Sequence, residues 1–140
     1  MSTIVTRAGK GSPLTHTEVD ANFTNLNNDK AGYITGDGGS VTQSTNKTTA
    51  VTLNKKCGTV TMNGAALAAD AIATFTLTNS TIAATDVVVL NHASVGTAGK
   101  YALNAQAAAG SASVNVTNIS AGSLSEAIVI RFAVIKAVTS

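Results

Sequence analysis

The sequence has no tryptophan, one cysteine, one proline and few charges: of 140 residues, 11% are Asp, Glu, Lys or Arg and 4% are aromatic. A lone Cys57 cannot close an internal disulfide, so packing alone must hold the fold, and a reducing cytosol is the expected compartment. Nine basic residues against seven acidic ones leave a net charge of +2. That is too weak a field to release counterions from a phosphate backbone, which excludes a dedicated nucleic-acid binder. No run approaches the ~18 consecutive apolar residues that span a bilayer, and the first thirteen residues lack the apolar stretch of a signal peptide. Neither a membrane span nor export is expected. Disorder is excluded as well, because 44% of the residues are hydrophobic and the net charge is small. The length suits one small domain with an arm.

Reactive chemistry is equally sparse. Two histidines and one cysteine, far apart in the chain, give no zinc-ligand spacing. Cys57 could in principle pair with His16 or His92 while Lys55 and Lys56 lower its pKa. No nucleophile motif surrounds it, so Cys57 is read as a small apolar residue at a strand edge, and His92 as a hydrogen-bonded residue closing an apolar strand. Asp70, Asp86 and Glu126 stand singly, and Asp37 among glycines is a turn rather than a calcium loop. Gly9-Lys10-Gly11-Ser12 lacks the first glycine of a phosphate loop. No catalytic residue, cofactor or metal is expected. A sugar-stacking ring could come only from Tyr33 or Tyr101, because Phe75 and Phe132 point to the core by alternation and Phe23 lies on a helix stripe. Five Asn-X-Ser/Thr sequons, at Asn22, Asn46, Asn79, Asn115 and Asn118, are read as a by-product of an Asn- and Thr-rich composition.

What is present divides the chain in two. Thr15 and Glu18 have the spacing of a capping box, with Leu14 and Val19 placed as a hydrophobic staple. Val19, Phe23 and Leu26 then recur at spacings of four and three, which predicts a short helix over about 15–28 with one narrow apolar stripe. A helix this short is marginal alone in water, so the stripe must dock on something. Residues 1–31 are therefore read as an arm and 32–40 as a glycine-rich linker. Residues 41–140 hold eight strand candidates, at 41–45, 49–53, 59–62, 73–78, 86–92, 100–106, 111–118 and 126–137. These lengths and spacings predict an all-β, jelly-roll-like antiparallel sandwich. Residues 65–73 could instead form a helical turn on alanine content.

Two strands are apolar on both faces. In the last, Ile128, Ile130, Phe132 and Val134 form one side while Val129, Arg131, Ala133 and Ile135 form the other; residues 87–90 are apolar throughout. A sandwich buries one face per sheet, so the second needs another cover, either the N-terminal helix or another copy of the chain. Arg131 would there require compensation by Glu126 or by an acid across the interface.

The stretch SPLTHTEVDANFTNLN, residues 12–27, resembles the virion-attachment segment at the N terminus of many tailed-phage fibre and appendage proteins. AVTLNKKCGTVTMN (50–63) and NISAGSLSEAIVIRFAVIKA (118–137) resemble a small β-module of phage structural proteins. The resemblance implies a non-enzymatic virion protein, made in the host cytoplasm and placed on the capsid surface or an appendage. Its partner would be the major capsid protein or another virion protein, as a capsid decoration (cement) protein. The alternative is a fibre or appendage with a receptor- or carbohydrate-binding domain. Attachment then falls to Leu14, Thr15, Glu18, Val19, Phe23 and Leu26. Self-association falls to Val129, Arg131, Ala133 and Ile135, as a trimer in preference to a dimer.

Overall fold

The structure is a computed structural model that describes residues 4–28 and 36–137. Residues 32–35 of the expected linker, Tyr33 among them, and the two chain ends lie outside the described residues. Among the described residues two helices, α1 (Arg7–Lys10) and α2 (His16–Asn28), precede eight strands: β1 (Ser40–Thr42), β2 (Val51–Thr52), β3 (Cys57–Thr61), β4 (Ile72–Thr78), β5 (Val87–Ser94), β6 (Tyr101–Ala108), β7 (Ser111–Asn118) and β8 (Val129–Ile135). They form two four-stranded sheets, here sheet A in the order β1-β3-β8-β5 and sheet B in the order β2-β4-β7-β6. The fold is an all-β sandwich.

Side-chain alternation builds it. Ala73, Phe75 and Leu77 of β4 face inward while Ile72, Thr74, Thr76 and Thr78 face out, and β7 repeats the pattern with Ala112, Val114 and Val116. From sheet A come Val60, Ile130, Phe132 and Val134, with Ile128 and Met62 closing one end. Burying these apolar faces against each other is the main stabilising term. The two-residue hairpin at Ala109-Gly110 uses Gly110 at φ 76°, and its tip is held by the bonds Gly110 N–H to Ile82 O and Asn79 N–H to Gly110 O, both 2.9 Å.

Four of the six ladders are antiparallel, as expected for a sandwich of this kind. The other two, β1 with β3 and β2 with β4, run parallel and add short edge strands. These two edges depart from the uniformly antiparallel winding expected. Entry into the β1–β3 ladder depends on Gly58, where an added Cβ would stand 2.7 Å from Gly39 O and 2.8 Å from Leu53 Cδ2. The alanine-rich stretch 65–73 is extended rather than helical. Leu67 forms an isolated antiparallel bridge with Leu124, and Asp70 turns the chain into β4 at φ 56°. The last strand ends at Ile135, where Lys136 leaves the ladder to pair with Asp86 at 2.6 Å.

Candidate functional site

The arm is organised by its caps. Thr15 Oγ1 accepts from the Glu18 amide at 3.2 Å, and Glu18 Oε2 accepts from the Thr15 amide at 2.7 Å, which is the reciprocal capping box the spacing called for. Lys10 reaches the same carboxylate at 2.5 Å. That bond, with the Thr15 amide, brings the Glu18 pKa down to about 2. The preceding turn, α1, had no periodicity to announce it; Thr6 caps it and Gly11, at φ 73°, ends it. Asn22 brackets the Val5 backbone, with Nδ2 donating to Val5 O and Oδ1 accepting from Val5 N, both at 2.8 Å. Residues 5–10 therefore lie along the Glu18 and Asn22 flank of α2. The other flank, with Asp20, stays open and Asp20 is exposed. On the stripe between them Leu14 and Val19 are half-buried, but Phe23 is 69% and Leu26 53% exposed. Among the described residues, α2 makes no extensive contact with either sheet.

The second apolar surface is the outer face of sheet A. Pleating sends Ile128, Ile130, Phe132 and Val134 inward and Val129, Arg131, Ala133 and Ile135 outward, as the sequence pattern predicts. Register then sets Cys57, Ala133 and Val89 in one row across three strands, and Ser40, Thr59, Arg131 and Asn91 in the next row across four. Val87 and Ile135 extend the apolar end. Val87, Val89 and Ile135 are each about half exposed, so α2 does not cover this face. A depression of about 430 Å³ opens on it, lined by Cys57, Val89, Asn91, Arg131 and Ala133, with Gly38 and Gly39 at its β1 rim. A Cβ added at Gly38 would stand 3.8 Å from Cys57 Sγ, whereas one at Gly39 would press on Leu53 Cδ1 at 2.8 Å.

Arg131 does not meet Glu126. That carboxylate is taken by the Thr97 amide at 3.0 Å, the Thr97 hydroxyl at 2.8 Å and the Tyr101 hydroxyl at 2.8 Å. These bonds lower the Glu126 pKa, the two from Thr97 most, whereas burial and Glu126 raise that of Tyr101. Arg131 is instead exposed, and among the described residues it has no acidic partner. Tyr101 is buried and stands edge-on to His92, ring centroids 5.7 Å apart, so it offers no free ring to a sugar. His92 bonds the Val95 carbonyl at 2.6 Å. Cys57 points outward and His92 inward on sheet A, so the fold does not assemble a thiol–imidazole pair from them.

Three of the five sequons share a structural use that the by-product reading missed. In each, the Asn Oδ1 accepts both the amide and the hydroxyl two residues on: Asn46 from Thr48 (2.9 and 2.8 Å), Asn79 from Thr81 (3.0 and 2.8 Å) and Asn118 from Ser120 (3.0 and 2.6 Å). The Asn-X-Ser/Thr pattern is here a turn device that closes strand ends. Asn79 and Asn118 are fully buried, which removes them as glycan acceptors. Sequence reasoning also missed Lys47. Its side chain is 3% exposed, and Nζ donates to Asn63 O at 2.7 Å and Glu126 O at 2.5 Å. Nothing in its local sequence marks it, since lysine is ordinarily a surface residue.

The outer face of sheet B is different in kind. Thr74, Thr76, Thr78, Ser113, Asn115, Thr117, Asn104 and Gln106 lie there, an uncharged array of hydroxyls and amides. Among the described residues no helix is long and apolar enough to cross a membrane, and no three His, Cys, Asp or Glu side chains gather to hold a metal ion. No family model matches the chain, and neither a curated protein nor a solved structure matches it.

Proposed function

We propose that the protein is a non-enzymatic structural component of a tailed-phage virion, bound to the capsid exterior as a decoration protein and present as a homo-oligomer. The observation that carries this reading is the arm. Residues that resemble a virion-attachment segment form a well-capped helix whose Phe23 and Leu26 are presented to solvent, off the sandwich. An apolar stripe with no cover inside its own chain is a docking element. The arm holds the domain to a neighbouring virion subunit, and the sandwich is displayed outward. Self-association through Val129, Arg131, Ala133 and Ile135 fits the exposed apolar outer face of sheet A. Area buried against the lattice favours the assembled particle by mass action. Removing residues 1–31 tests the reading: a soluble, cooperatively melting β-protein that no longer binds particles is expected, and full binding by the truncated chain overturns the arm assignment.

One observation favours the appendage alternative with a glycan ligand, namely the uncharged hydroxyl and amide face of sheet B. Binding of the full chain to a glycan array, lost in Thr76→Lys, would move the assignment there.

A further inference from the structure

Two surfaces of this chain are uncovered, and they are complementary. α2 is convex, with Phe23 and Leu26 exposed on one stripe. The outer face of sheet A is hollowed beside Cys57, Val89 and Ala133. Each surface carries a charge with no ion-pair partner among the described residues. On sheet A it is Arg131, exposed at the centre of the face. On α2 it is Asp20, on the flank that residues 5–10 leave open. Of the other carboxylates, Glu18 is held by Lys10, Asp86 by Lys136, and Glu126 by Thr97 and Tyr101, while Asp37, next to the glycine rim of the depression, keeps Oδ2 buried without a hydrogen-bond partner among the described residues and so faces inward rather than toward an arm. Within one chain the two surfaces do not meet, since α2 makes no extensive contact with the strands among the described residues.

We propose that α2 of one copy lies on the outer face of sheet A of a neighbouring copy, placing Phe23 and Leu26 in the depression and Asp20 against Arg131. The inference rests on the reading of that face as a contact between copies, and it names the occupant. A helix laid by its apolar stripe into a groove is a recurring recognition mode, and opposite charges at its edge set orientation and register. Because the two surfaces differ, the contact is heterologous, and where its rotation closes it forms a ring, for which a trimer is the smallest form beyond a reciprocal pair. The virion neighbour that each arm grips is thus another copy, and particle binding is multivalent through the ring.

The test uses the full chain without particles. Sedimentation velocity across a concentration series reads association for wild type, Asp20→Lys, Arg131→Glu and the double variant. Each single change is expected to weaken association about tenfold, and the double variant to recover to within about threefold of wild type. Independently, Phe23→Cys is oxidised in the presence of the native Cys57. Disulfide-linked multimers that grow with protein concentration, and vanish when Cys57→Ser is added, are expected. A monomeric wild type, charge variants that associate like wild type, or a linkage inside one chain at all concentrations each overturn the proposal. Those outcomes leave the virion assignment to be judged by particle composition, so the two failures are distinguishable.

Discussion

Asn118 offers the sharpest test of how the sandwich is held. It is fully buried at the end of β7, and its Nδ2 donates to three carbonyls, Leu67 at 2.9 Å, Ala68 at 3.0 Å and Gly122 at 2.8 Å. Its Oδ1 accepts from the Ser120 amide at 3.0 Å and hydroxyl at 2.6 Å. In Asn118→Ala the carbonyls keep other donors: Leu67 O retains the Leu124 amide, Ala68 O the Ala71 amide and Gly122 O the Ser120 hydroxyl. The Ser120 amide loses the one acceptor it has, at a cost of about 1–3 kcal/mol. Adding about 0.5–1 kcal/mol for each of the remaining bonds gives roughly 4 kcal/mol, a large share of the 5–15 kcal/mol typical of a domain. With a urea m-value of about 2 kcal/mol/M, the midpoint should fall by roughly 2 M. Far-UV circular dichroism reads this, as the chain lacks tryptophan. Asn118→Asp adds a signed control. Its carboxylate would face three carbonyls, so its folded pKa rises above the unfolded value, and stability is greatest at low pH and lost as pH rises through the folded pKa. A loss below 1 kcal/mol in Asn118→Ala, or an Asn118→Asp protein as stable as wild type at pH 7, refutes the reasoning.

Three further outcomes follow from other sites. Because Glu18 has a folded pKa of about 2, set mainly by Lys10 and the Thr15 amide, the α1–α2 cap keeps its contribution above pH 4.5 and loses it as pH falls toward 2; an NMR titration of the Glu18 carboxyl with its midpoint near 4.5 would contradict the cap. Burial lowers the Lys47 pKa, with Glu126 opposing, so the native state binds fewer protons below pH 10.5 and stability should rise with pH in that window. Lys47→Met should abolish the rise and cost about 2 kcal/mol through the two carbonyls left unpaired, read by urea midpoints at pH 7 and 9.5. Gly58→Ala should cost about 1–3 kcal/mol by thermal melting, since its Cβ meets backbone at Gly39 O; an unchanged melting temperature would show that β1 shifts freely.

Much of the fold was legible because period-two alternation is a local signal. Phe75 and Leu77, Val114 and Val116, and the run from Ile128 to Val134 each declared which side was core, and burial follows them. Helix α2 was legible for the same reason, through Thr15, Glu18 and a stripe at spacings of four and three. Pairing was not, because the partner of a strand is chosen by distant chain: nothing in two residues of β2 announces a parallel ladder with β4. Residues 65–73 show tertiary context overriding propensity, as the Leu67 and Ala68 carbonyls are satisfied by Asn118 from across the fold instead of by a helix. Of the candidate site, the outward row on β8 was readable, but its register with Cys57, Val89 and Asn91 required the sheet. The unmet charge of Arg131 was hidden for a related reason: Glu126 is near in sequence, yet Thr97 and Tyr101 reach it first in space.

The central claim is that this chain is a structural part of a virion, and the composition of purified particles tests it most directly. Quantitative mass spectrometry of particles, before and after a wash that strips exterior proteins, should find the chain in many copies, in fixed ratio to the major capsid protein, and released by the wash. A few copies per particle would place it on a vertex or tail appendage instead. Its absence from particles would contradict the claim outright.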